Sequence, residues 1–137
     1  MKDFIVLVAV LLILLPFPLQ YALDEHNHLL KSEIQSYVYS AKEKAKQEGY
    51  FTEDIKRELK ENISINLNIN ESDIHITADE VRKYRENEFK KSELIHYKVE
   101  VPIKRIIAVP VLWGIKDDDN KTVYVVEGYT ASEAIMQ

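Results

Sequence analysis

The chain has no cysteine, three glycines, four prolines and one tryptophan among its 137 residues. Without a thiol there is no disulfide scaffold, no thiolate zinc site, no cysteine nucleophile and no lipid attached through a cysteine behind the apolar N-terminus. So few glycines leave no glycine-rich loop for cradling phosphate. Lys and Arg number 18 against 23 Asp and Glu, a formal net charge of −5, so no overall field draws the chain toward nucleic acid or an anionic surface. Long apolar runs, by contrast, are present, and the first absorbs about twenty residues. Roughly 115 remain, enough for one small domain and not two.

From Phe4 to Leu15 the chain reads FIVLVAVLLILL, twelve apolar residues without a break, and the weakly polar stretch runs on to Leu23. At the helical rise twenty residues span about 30 Å, the thickness of a hydrocarbon core, so residues 4–23 are expected to form a single transmembrane helix. A cleaved signal is the competing reading, but the best cleavage point, after Ala22, puts Gln20 where a small residue is required. Lys2 precedes the block, and Asp24 and Glu25 follow it before the first cation at Lys31. This places the N-terminus in the cytoplasm and the C-terminal domain outside. Pro16 and Pro18 either bend this helix or mark where it leaves the apolar layer.

Residues 24–49 read as an amphipathic neck helix, because Leu30, Ile34, Tyr37, Val38, Ala41 and Ala45 recur at spacings of three and four and Gly49 suits a left-handed stop. This stripe either packs against another membrane helix, of a copy or a relative, or lies on the domain's own sheet. Residues 50–137 form the expected extracytoplasmic head. Thr52 with Glu53 and Asp54 predicts an N-cap, and Ile55, Leu59 and Ile63 continue a helical stripe to about Asn66. Asp73 to Thr77 predicts a first strand, residues 80–92 an exposed connection, and the alternation in Leu94–Lys104 a second strand. Pro102 puts the far end of that strand at an edge or bulge. Thr122–Thr130 predicts a third strand covered on both faces, paired antiparallel with the second around a solvated turn at Lys116–Lys121. The fold class is α+β: a transmembrane helix extended by an amphipathic one, then a short helix and a three-stranded, mainly antiparallel sheet.

Candidate chemistry is sparse. His26 and His28 sit two apart and point to different faces of a helix, which makes a polar collar rather than a metal site. Asp117, Asp118, Asp119 and Asn120 are contiguous, lacking the alternate spacing, glycine and distal Glu of a calcium loop. His75 and His96 have no partner that spacing justifies and read as surface strand residues. No catalytic residue, metal ligand, cofactor or small-molecule substrate is indicated, so the chain is expected not to be an enzyme. Ile106, Ile107, Val109, Val111, Leu112 and Trp113 lie in an apolar run that either folds over the sheet as core or, if exposed, docks on a partner or the bilayer.

Taken together, FIVLVAVLLILLPFPLQY, the helix through KSEIQSYVYSAKEKAKQEGYFT and the tail pair HYKVEVPIK and TVYVVEGYTAS resemble the TadE-like pseudopilins of Gram-positive type IV pilus-related systems. That resemblance covers nearly the whole length as layout and texture. It implies a membrane helix packed with other pilin-like helices or with itself, an α+β head outside the cytoplasm, and a non-catalytic part in assembling a surface pilus or secretion apparatus. Class III leaders end in Gly and keep a Glu five residues into the apolar stretch. Here no Gly precedes Phe4 and no Glu occurs between residues 4 and 23, which suits an unprocessed accessory protein better than a major pilin. The alternative from a different class is a tethered or secreted extracytoplasmic binding or sensor domain.

Overall fold

A computed structural model describes residues 1–85 and 93–136 and has the α+β architecture. Helix α1 spans Lys2–Leu14, α2 Pro16–Glu48 and α3 Glu53–Leu67; strands β1 (His75–Ala78), β2 (Leu94–Lys104) and β3 (Lys121–Ala131) form one sheet in the order β1-β2-β3. Contacts divide the chain into two units, one of Met1–Leu30 with residues 103–122, the other of residues 31–102 with the chain from Val123 onward. The expected connection over residues 80–92 has no regular structure from Glu80 to Arg85; residues 86–92 lie outside the described residues.

The second unit contains the core. On α2, Ile34, Val38, Ala41 and Ala45 are spaced by four, three and four, so one helix face carries them all into a single cluster. Ile55, Leu59 and Ile63 of α3, Phe51, Ile74, and Ile95, Val99 and Val101 of β2 complete it. Burying each of the larger aliphatic side chains stabilises the fold by about 1.5–3 kcal/mol. Of the two readings open for this stripe, the chain's own core is where Ile34, Val38, Ala41 and Ala45 lie. Ile34 and Ala45 are 0% exposed, Val38 and Ala41 nearly so, and Tyr37 packs partly buried against the same cluster. The physical reason is size: a small head has one sheet face to cover, and the amphipathic helix is the widest apolar surface available.

Local signals act as expected at the helix ends. Gly49 has φ +86 and its N–H returns to the Ala45 carbonyl, closing α2. The Thr52 side chain accepts the Ile55 N–H at 3.2 Å and starts α3. The alternation of Ile63, Ile65, Leu67 and Ile69 does not make a strand. Asn68 turns left-handed at φ 52, and its N–H and that of Ile69 both return to the Ser64 carbonyl. Ile65 is left 77% exposed while Ile63 is fully buried.

β1 pairs antiparallel with β2 from His75↔Glu100 to Ala78↔Tyr97. β2 and β3 are tied at one end by the Arg105 N–H on the Asn120 carbonyl and at the other by the Ser132 N–H on the Glu93 carbonyl, an antiparallel arrangement. The His96 N–H faces Asp79 and the Arg105 N–H faces Asn120, so even-numbered donors of β2 point toward β1. Pro102 is thus missing a donor on the β1 side, two residues past the point where β1 has ended at its Glu100 pair.

β3 departs from expectation. Its outward side chains Val123, Val125 and Tyr129 are exposed, and only the alternate set, including Tyr124, Val126 and Thr130, turns inward. β3 is an edge strand of a sheet whose helices lie on one face, so the continuous apolar run reflects β-propensity rather than burial on both sides. Tyr97 lies across Gly128, its hydroxyl 2.8 Å from where a Cβ would stand.

Candidate functional site

The helix Lys2–Glu48 is long and apolar enough to cross a membrane. α1 buries none of its residues, and the large apolar side chains from Phe4 to Leu15, with Phe17 and Leu19, are 39% to 69% exposed. The prolines do not end the helix. Leu15 keeps right-handed helical angles and its N–H reaches the Leu11 carbonyl at 2.9 Å. Pro16 and Pro18 carry no N–H to return to the carbonyls of Leu12 and Leu14, so those two leave the helical ladder.

In the same unit the segment after β2 is held by three amide side chains. The Arg105 backbone is left-handed at φ 64, which turns the chain out of the strand. Its carbonyl accepts Asn27 Nδ2 at 3.0 Å. Asn120 Oδ1 accepts the N–H groups of Ile106 and Ile107 at 3.1 and 2.8 Å, and its Nδ2 donates to the Ile107 carbonyl at 2.8 Å. Gln20 Nε2 donates to the Ile106 carbonyl and its Oε1 accepts the Ala108 N–H, both at 2.9 Å. Every backbone polar group from the Arg105 N–H to the Ala108 N–H is paired this way. Of the run's side chains, Ile106, Ile107 and Val109 are half-buried, and Val111, Leu112 and Trp113 are 81%, 60% and 72% exposed.

Neither Gln20, Asn27 nor Asn120 stands out in the sequence. Gln20 and Asn27 are seven residues apart, two helical turns, which puts two amides on one face at the polar end of an apolar block. That spacing was the available signal. Asn120 closes an acidic 3₁₀ turn and is 3% exposed, unlike the exposed Asp117, Asp118 and Asp119 before it.

The remaining candidates are dispersed. His26 and His28 are exposed while Asn27 between them is buried, and among the described residues no three His, Asp or Glu side chains converge as metal ligands. His75 is exposed. His96, which spacing left without a partner, has one across the β2–β3 pair: its Nε2 is 2.8 Å from Glu127 Oε1, and its ring centroid is 4.9 Å from that of Tyr129. Asp79 joins β1 to β2 with its carboxylate, accepting the His96 N–H at 2.9 Å and Lys83 Nζ at 2.6 Å. Burial pushes the Asp79 pKa up, but the His96 N–H and the Lys83 ammonium outweigh it and hold the carboxyl below its ordinary range. Lys46 is held above the usual lysine value by Glu133 and Glu43. These are ties within the head; none forms a nucleophile with an adjacent base.

No family model, no curated protein and no solved structure matches the chain.

Proposed function

We propose that the chain is a membrane-anchored, non-catalytic accessory protein of a pseudopilin-like surface apparatus. Residues 4–23 cross the bilayer, residues 24–49 form the neck and residues 50–137 the head, with the N-terminus cytoplasmic and the head outside. The observation that carries this reading is the contrast along helix Lys2–Glu48. Its first third is apolar and bare on all sides, and its last third is committed to the head's core. A helix apolar all round requires lipid or other helices as its surroundings. Because Ile34, Val38, Ala41 and Ala45 are occupied, contact with like helices falls on Phe4 to Tyr21 instead of the neck stripe.

The chain's lack of cysteine makes the test clean. Single cysteines at Val6, Val8, Leu11 and Ile13 are introduced in turn and oxidised in native membranes. Cross-links to a copy or to another apolar-helix protein, confined to one helical face, Val6 with Ile13 or Val8 with Leu11, support an assembly role. A complete absence of protein cross-links at all four sites overturns it.

A second reading, a tethered binding domain, is favoured by a shallow cleft of about 760 Å³ in the head, lined by residues including Lys44, Glu48, Tyr50, Thr52, Glu53 and Glu80. It predicts that Lys44→Glu abolishes partner capture while the cross-linking pattern is unchanged.

A further inference from the structure

We propose that the loop of residues 106–113 is a second contact with the bilayer, its tip seated among the lipids that surround the membrane helix. The proposal rests on the membrane-spanning reading of the helix and goes beyond it by adding a separate segment of the chain to the lipid-facing surface. Leu12, Ile13 and Phe17 on the helix and Ile107, Leu112 and Trp113 on the loop wall a groove of about 420 Å³. The helix residues in this groove belong to or directly follow the unbroken apolar run, so a loop beside them shares their depth and their surroundings.

Hydrocarbon disfavours unpaired backbone, and a large part of this loop's backbone is paired. Gln20, Asn27 and Asn120 pair it from the Arg105 carbonyl to the Ala108 N–H. Pro110 has no N–H to satisfy. The Leu112, Gly114 and Ile115 N–H groups return to the carbonyls of Val109, Val111 and Pro110. Gly114, at φ +66, allows the turn. What the loop offers outward is Val111, Leu112 and Trp113, large apolar side chains that leave water when lipid covers them.

Charge placement agrees. Residues 106–115 carry no charge, with Lys104 and Arg105 before them and Lys116 after, where long cationic side chains reach back to the headgroups. Asp117, Asp118 and Asp119 offset those cations, so insertion is driven by apolar burial and persists in uncharged lipid.

Trp113 is the only tryptophan and reports directly. The full chain is reconstituted in phosphatidylcholine vesicles, and its fluorescence is measured with phosphatidylcholine spin-labelled deep in its tails, at the depth of Leu12 to Phe17, and, separately, with aqueous iodide. The expected result is a loss of roughly half the emission to the spin-labelled lipid and protection from iodide, as for an aromatic side chain within the lipid tails. Leu112→Asp, at an exposed position, is expected to restore iodide access. Strong iodide quenching in the unaltered chain, with no effect of the lipid label, places the loop in water and overturns the proposal. Protection from both quenchers means a second copy covers the loop, which also overturns it. The double variant Val8→Trp, Trp113→Phe separates the two readings. If Trp at position 8 is quenched by lipid labelled deep in its tails while Trp113 is not, only the loop contact fails. If neither is quenched, the anchor fails with it.

Discussion

Two stretches of one helical segment, Phe4–Leu19 and Ile34–Ala45, both present apolar side chains, and their fates are opposite. The first is apolar on every side and has no fully buried side chain; the second is apolar on one stripe and buries Ile34, Val38, Ala41 and Ala45 of it in the core. Angular distribution, more than apolar content, decides between the two. A stripe can be satisfied by a single sheet face, whereas a helix apolar all round has no single partner inside a small domain. The two units also differ in how they pair their backbone. The head uses helix and strand ladders, while the segment of residues 105–108 relies on three amide side chains.

This contrast is sharpest for large-to-small substitution. Ile34→Ala is expected to destabilise the head by about 2–5 kcal/mol, and Leu11→Ala to leave it unchanged, in denaturant titrations of the full chain in micelles. Equal losses for the two would erase the distinction between the stretches. Gly49→Ala tests the end of the buried stretch. It forces a left-handed alanine, and its Cβ would collide with the Lys83 carbonyl oxygen, so a loss of at least about 2 kcal/mol is expected in the same titration.

Asn120→Ala bears on the other unit. It strips partners from two N–H groups and one carbonyl, at about 1–3 kcal/mol for each group that stays buried. Hydrogen exchange should accelerate at the Ile106 and Ile107 amides while Val99 and Val101 keep their protection. Acceleration throughout would mean that the two units share one stability. The smallest expected effect is the pH dependence at Asp79. A carboxyl held below its ordinary value contributes stability that is fully present above the unfolded pKa and is lost as pH falls through the folded one. Thermal stability should therefore decline from about pH 4 downward, with a shallower decline in Asp79→Asn.

Much of the architecture was legible because local chemistry and global fold agree. Thr52 caps, Gly49 stops, and the alternation in Leu94–Lys104 gave β2 at its observed bounds. Two kinds of information were not local. Whether Ile34, Val38, Ala41 and Ala45 face a neighbour or the chain's own sheet depends on what else needs covering, which periodicity does not encode. The run in β3 read as doubly buried because Val and Tyr favour strands wherever they are placed, whereas among the described residues nothing covers Val123, Val125 and Tyr129. The amide clamp escaped for a different reason. Asn120 is distant in the chain from Gln20 and Asn27, and each alone reads as an ordinary polar residue.

The missing donor at Pro102 has a consequence for how copies of this chain can associate. Beyond His75, the flank of β2 that β1 leaves open is a template with one rung removed, and a strand from another molecule laid against it would find no N–H at that position. Strand exchange along this margin is disfavoured by covalent structure, whatever the concentration. Pairing through the sheet is discouraged at that position, and the edges that keep a full set of donors are those of β1 and β3.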